Sequence, residues 1–370
     1  MKAASGTNNN NKKRAIRRNI LVSAIISAVF IGLAFVSHGL FGKSPAEFTD
    51  HTFFALDTYI TIRLAGPDGD VNADYSLIFA ECERIVSNAE KTLSAHDESS
   101  ELYKLNQSPP GTYSPSDTLF DVISIAKSIA DRTDGAFDFT LGALSELWNI
   151  KNGGPVPDSY EIDAILPYIG YNRLIIDSDN KTITLPETPN QSYFQLDLGA
   201  IGKGFAADML IEYLRGTDVP YGIISVGGTI GVFGSKPDGE MFKIGIRSPD
   251  DAGGLIGYFL IDTGFVAVSG DYERYFIENN VRYHHILDPK TGAPAANGVR
   301  ESAVYSDSGA VADALSTAFF VMGERRAENY IDANGSETVS AVIVSSAKSG
   351  SEEYTVSAFG SGAVFEPVKK

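Results

Sequence analysis

The sequence predicts an α+β fold: a single large unit in which helices and strands are interspersed without a regular strand-helix-strand period. Three observations carry this reading. Runs of β-branched and aromatic residues recur along the chain, amphipathic helical stretches separate them at irregular intervals, and no repeat or Pro/Ser-rich linker after residue 50 marks a second independent domain. A chain of 370 residues can bury a large core, as one domain or as two intimate subdomains.

Taken in order, Phe53–Leu64 alternates apolar and polar residues and reads as a strand. Apolar residues at helical spacing predict a helix over Tyr75–Leu93 and another over Asp117–Arg132, closed by Thr133-Asp134-Gly135. Pro155 and Pro157 mark a loop, Ile162–Ile169 a short helix, and Arg173–Leu185 a hairpin turning at Asp179-Asn180. A strand over Tyr193–Leu198 is expected to run through glycines into a helix near Phe205–Arg215. Strands rich in Val, Ile and Phe fill much of 221–285, and a helix near residue 313 precedes two terminal strands.

Hydrophobic content of 43% and charged content of 21% are ordinary for a globular protein, but charge is unevenly spread. Residues 1–45 carry seven Lys or Arg and no acid, so the remainder holds 23 basic against 47 acidic residues, a net of −24. Such a body repels nucleic acid and anionic membrane, and a phosphate ligand there needs a metal, oriented N–H groups or a placed lysine. The single cysteine, Cys82, excludes an intramolecular disulfide and a cysteine metal cluster. Residues 1–18 read as a basic cytoplasmic tail and 19–41 as a transmembrane signal-anchor. The apolar run from Ile20 to about Phe41 is long enough for about 30 Å of hydrocarbon and too long for a typical signal-peptide core of about 7–15 residues. A cleaved signal peptide ending near Ser37-His38-Gly39 is the alternative. Residues 42–50 then form a linker, and 51–370 an extracytoplasmic domain on a single-pass cell-membrane protein.

The most telling segment is Val311-Ala312-Asp313-Ala314-Leu315-Ser316-Thr317-Ala318-Phe319-Phe320-Val321-Met322-Gly323, an apolar helix ended by glycine. Asp313 and Thr317 lie four residues apart and share a face, a pairing of hard oxygens that suits Mg²⁺. The plain alternative is that Thr317 bonds back to the Asp313 carbonyl. Leu196-Asp197-Leu198-Gly199-Ala200-Ile201-Gly202-Lys203-Gly204-Phe205 has the form strand, glycine turn, helix. Glycines there admit close backbone approach, the helix start offers N–H groups to an anion, and Lys203 adds a point charge. The glycine spacing matches neither the Walker A nor the Rossmann fingerprint. Gly227-Gly228 follows a strand and is equally an ordinary hairpin turn. In His284-His285-Ile286-Leu287-Asp288-Pro289-Lys290-Thr291-Gly292, turn chemistry explains Pro289 and Gly292. On a strand the two histidines would face opposite ways, so at most one serves a given site as proton acceptor. No Gly-x-Ser-x-Gly elbow occurs.

The ordered set Leu56-Asp57-Thr58, Gly135-Ala136-Phe137-Asp138, Asp197 through Gly204, Gly227-Gly228, Ser269-Gly270-Asp271-Tyr272, His285 through Gly292 and Ala312 through Thr317 resembles the FAD:protein FMN transferase (ApbE) family over roughly residues 50–345. The resemblance implies two intimately packed α/β subdomains and transfer of FMN from FAD to a Thr or Ser hydroxyl of another protein, with AMP leaving. FAD is then a substrate with no redox role, and Mg²⁺ a cofactor. It implies metal donors at Asp313, Thr317 and the Ala200 carbonyl, with Ser316 beside them, and His285 as the base. Implied FAD contacts are Leu56, His96, Ala136, Phe137, Asp138, Asp197, Lys203, Gly227, Gly228, Ser269 and Ile286. The sequence departs from the family at Leu56-Asp57, where many members have Met-Gly. His96 replaces a usual aromatic residue, and Thr229 replaces an Asn or Asp. The family's acceptor signature, Asp-x-x-Thr/Ser-Gly-Ala/Ser-Thr, is absent here, which implies a separate exported or membrane-bound acceptor. The rival readings are a FAD pyrophosphatase releasing FMN and AMP, and a non-enzymatic exported flavin-binding protein.

Overall fold

Strands rich in β-branched and aromatic residues build the dominant element, an eight-stranded antiparallel sheet. Across it run Phe48–Ala55, Thr58–Ala65, Tyr221–Val226, Thr229–Gly234, Gly264–Gly270, Val299–Ser306, Val339–Ser346 and Tyr354–Gly360, their spatial order being their chain order. In Thr58–Ala65 the residues Ile60, Ile62 and Leu64 are fully buried on the helix-bearing face, the period-two pattern of a strand. Tyr221–Val226 is buried at all six positions because both faces of the sheet are covered. One face carries the Gly202–Arg215 and Gly309–Met322 helices, over which Ser76–Leu93 and Asp117–Arg132 pack. The other face meets a smaller sheet of Phe242–Arg247, Leu255–Ile261 and Val364–Pro367.

This computed structural model describes residues 48–66, 73–250, 254–335, 337–347 and 354–368. The basic tail and the apolar run 20–41 lie outside them; among the described residues no helix is long and apolar enough to cross a membrane. The insertion between the second and third sheet strands adds helices and a three-stranded sheet of Gly111–Tyr113, Thr182–Leu185 and Ile175–Asp177. Its apolar residues, such as Leu119 and Ile183, belong to the same cluster as Phe319 and Ile343, so it shares the core of the main body.

Several expected elements differ: strand begins at Phe48 inside the expected linker, and the Gly309–Met322 helix is followed by a second helix, Glu324–Asn334, and three strands where two were expected. Phe53–Leu64 is not one strand but parts of two, paired as a hairpin with Ala55 opposite Thr58. Leu56 and Asp57 form its two-residue turn at φ of 51° and 61°, a conformation usually left to glycine or asparagine, so the alternation pattern hid the turn. Tyr193–Leu198 is not a strand either: Gln191–Tyr193 is a 3₁₀ turn, and Gln195 makes a single bridge to Leu141. The buried Asn106 carboxamide takes the strand partner's place, donating to the Leu196 carbonyl and accepting its N–H, both at 2.8 Å. The Gly202–Arg215 helix also starts three residues earlier than expected, taking Lys203 and Gly204 into its first turn.

Candidate active site

The site forms where the Gly202–Arg215 and Gly309–Met322 helices cross. A Cβ on Gly204 would lie 2.0 Å from the Gly309 carbonyl oxygen, and one on Gly309 2.4 Å from the Gly204 carbonyl oxygen. Only hydrogen fits at either position. The close crossing lets each helix bind the other's amino terminus with a carboxylate. Asp313 Oδ2 accepts the Gly204 N–H at 3.0 Å. Asp208 in turn accepts the N–H groups of Gly309 (2.6 Å) and Ala310 (2.8 Å) and the Ser308 hydroxyl (3.0 Å). Helix starts present unpaired donors and positive potential, and carboxylates of the protein meet both here. Gly204 was expected to admit a ligand; it admits a second helix instead.

The reciprocal caps also shape the metal donors. Gly204 N–H would reach the Ala200 carbonyl in an unbroken helical ladder, and its turn toward Asp313 leaves that carbonyl outside the ladder. Asp313 is only 4% exposed, and Lys203 Nζ lies 3.5 Å from its Oδ2; neither contact uses Oδ1. The Thr317 hydroxyl, one turn along, lies 3.2 Å from Ser269 Oγ. The fully buried Ser316 donates back to the Asp313 carbonyl at 2.8 Å and approaches Ser269 Oγ at the same distance. Ser316, rather than Thr317, is therefore the residue that bonds back along the helix. Among the described residues no three His, Cys, Asp or Glu side chains are grouped to hold a metal. An ion here would rely on one carboxylate oxygen, a hydroxyl and a carbonyl, a hard oxygen set that fits Mg²⁺.

Lys203 links this crossing to the glycine turns. Its ammonium donates to the Gly199 carbonyl at 2.8 Å, while Asp197 Oδ1 accepts the Gly199 N–H at 2.8 Å. Gly227, at φ 60°, is the place where a Cβ would crowd the Lys203 stem (3.2 Å) and Thr58 (3.0 Å). Beyond Gly228 lies the Glu273 carboxylate, held above its ordinary range first by desolvation, against the pull of Lys203, Arg247 and Arg274.

The two histidines diverge as a strand end requires. His284 closes strand Val281–His284, buried with Nε2 3.0 Å from the Ala295 carbonyl and its ring edge-on to Phe320. His285 lies just beyond the strand, with its backbone N–H on the Arg274 carbonyl at 3.1 Å and its Nδ1 3.2 Å from the same oxygen. A carbonyl only accepts, so Nδ1 carries the proton and Nε2 keeps a free lone pair. The residue is solvent-exposed, yet the surrounding protein and the Arg274 cation push its pKa down to about 3. It is a neutral proton acceptor at pH 7. Cys82, by contrast, is buried and its thiol pushed up to about 12, which removes it as a nucleophile.

The profile of the ApbE family matches residues 56–343. An FAD:protein FMN transferase of Vibrio cholerae serotype O1 is 30% identical over 325 residues, covering 86% of this chain and 93% of that one. The crystal structure of the ApbE protein of Thermotoga maritima superposes with a TM-score of 0.73 at 30% identity, covering 86% of this chain and 96% of the other. The flavin transferase ApbE from Vibrio cholerae gives 0.74 at 27% identity, covering 86% and 98%. This chain belongs to the ApbE family.

Within that ApbE frame, the residues expected on the flavin side fall into three groups. Ala136, Phe137 and Ile286 are buried in one apolar cluster, against which Leu56 and Ala200 pack. Asp138 has both carboxylate oxygens engaged, by Thr140 and by the Tyr171 N–H, so it ties two loops together. His96 is exposed two residues beyond the C-cap of the Ser76–Leu93 helix, its N–H on Ser94 Oγ. Sequence reading missed Asp208, Glu273 and the Arg274 carbonyl. Asp208 had a usable signal, since it lies one helical turn after Gly204; a backbone carbonyl carries none.

Proposed function

We propose that this protein transfers FMN from FAD to a serine or threonine hydroxyl of a separate acceptor protein, with release of AMP. The observation that carries the reading is His285, a neutral imidazole whose Nε2 is freed by the Arg274 carbonyl and which feels the charge of Lys203, itself 3.5 Å from Asp313. Relatives named as FAD:protein FMN transferases support it. The acceptor oxygen attacks the FMN-side phosphorus, the bond to AMP breaks, and the hydroxyl proton passes to His285 Nε2. Asp313, Thr317 and the Ala200 carbonyl would hold Mg²⁺, which when bound neutralises charge on the pyrophosphate. Lys203 adds a second positive charge on the same side.

Because the His285 ring touches solvent, water can replace the acceptor hydroxyl, and FAD hydrolysis is the competing reading. Mass spectrometry of an exported protein bearing the acceptor motif, after incubation with FAD and Mg²⁺, decides between them. Transfer adds the mass of an FMN phosphoester to the acceptor; AMP release with no mass gain would make the protein a hydrolase. The basic tail and apolar run favour a membrane-anchored enzyme with this domain outside the cytoplasm, where exported acceptors are met.

A further inference from the structure

The segment Asp271–Arg274 joins strand Gly264–Gly270 to strand Tyr275–Glu278, and its last carbonyl is the group that orients His285. It is secured by side chains that are not themselves among the proposed ligands. Asp271 is clamped by Arg300 at 2.7 Å and Arg282 at 3.1 Å. The Tyr272 ring lies against Gly270, where a Cβ would sit 2.6 Å away, and beneath the Arg247 guanidinium at 4.7 Å. Its hydroxyl donates to Glu301 Oε2. Glu301 is fully buried in strand Val299–Ser306, and its other oxygen, Oε1, has no hydrogen-bond partner. A buried carboxyl left half unpaired weakens a fold, so stability alone gives no reason for a glutamate at this position.

We propose that the buried Tyr272–Glu301 pair is a positioning device for the catalytic imidazole: it holds the Arg274 carbonyl where it keeps the His285 proton on Nδ1 and Nε2 free. Neither residue is among the proposed metal or FAD contacts. The pair acts through one turn of main chain, two residues from its hydroxyl to the carbonyl. This rests on the reading of His285 as proton acceptor.

The test uses the full chain with FAD, Mg²⁺ and an acceptor protein, and reads kcat, KM for FAD and the ¹⁵N signature of the His285 ring nitrogens. Tyr272→Phe keeps the ring and removes the bond. It should lower kcat about ten- to a hundredfold, a fraction of what a whole base contributes, leave KM for FAD within twofold, and erase the single-tautomer signature. Glu301→Gln retains an oxygen acceptor for the hydroxyl and should keep wild-type kcat and tautomer. Glu301→Leu fills the space without polar atoms; its folded fraction should lose kcat and tautomer as Tyr272→Phe does, with KM for FAD again within twofold. An unchanged tautomer and kcat in Tyr272→Phe, or in Glu301→Leu should the former fail to fold, overturns the proposal. A loss of FAD affinity in step with kcat in folded Glu301→Leu overturns it too, as the mark of a merely structural role. His285→Ala separates the two readings: normal transfer by that variant refutes the base while leaving the tautomer measurement to judge the pair.

Discussion

At the scale of single residues, His284 and His285 show how one step along a chain separates structure from chemistry. His285→Ala should reduce FMN transfer by about 10²–10⁴-fold, the range for a lost general base, while FAD quenching titrations remain near wild type. His284→Ala should cost stability, about 1–3 kcal/mol for a buried polar ring in contact with Phe320, and leave transfer by the folded fraction intact. The imidazole of His285 is held neutral by desolvation and by Arg274, with its pKa pushed down to about 3. Its accepting form is then fully present from pH 8 down to about 5, so kcat at saturating FAD should show no acid limb near 6.5. A limb at that pH would mean that the ring titrates as an ordinary histidine. Local chemistry offered only a parity rule between the two histidines, and the family resemblance picked His285. That His284 is buried and His285 exposed depended on the strand ending at His284.

At the scale of elements, the site is a helix crossing. The motif spacing of Asp313 and Thr317 was readable because a helix repeats every 3.6 residues, but the reason for Gly204 was not. It lies in Gly309, over a hundred residues away, whose carbonyl occupies the space of a side chain. Gly204→Ala should therefore destabilise the protein by about 3 kcal/mol or more, at the upper end for overpacking, and weaken Mg²⁺ binding as the helices part. Urea unfolding and a metal titration on the folded variant check both. Asp313→Ala keeps the crossing and removes the carboxylate, and it should abolish AMP release from FAD. Undiminished turnover by that variant would end the case for a metal at this position.

At the scale of the whole molecule, burial and charge set behaviour over pH and place. Glu301 sits among Tyr272, Arg247, Glu273 and Asp271, and burial pushes its carboxyl up to about 8. A group with a raised folded pKa binds its proton more tightly in the native state, so its stabilising effect is complete below the unfolded value of 4.5 and is lost as pH rises toward 8. Stability should fall across that window at a slope approaching about 1.4 kcal/mol per pH unit from this residue, and Glu301→Gln should flatten the slope. Denaturant melts at pH 5, 6.5 and 8 measure it. The tail of six cations and the apolar run predict recovery in the membrane fraction and digestion by protease from outside. A soluble protein beginning near residue 40 would show the run to be a cleaved signal peptide.

Local chemistry by itself determined much of this protein: the α+β class, the Asp117–Arg132 helix to the residue, the helix of Asp313 and Thr317, and the ordered motifs of the family. These are written in periods of two and 3.6 and in turn residues, all of short range. Only tertiary structure decided that Asn106 replaces a strand, that Leu56 and Asp57 break one, and that each central helix caps the other. It alone decided that His285 is steered by a carbonyl anchored through Tyr272 and Glu301. Apart from the local turn at Leu56 and Asp57, each of these joins groups distant in sequence through a backbone atom or a single buried side chain, and neither leaves a periodic trace in the chain.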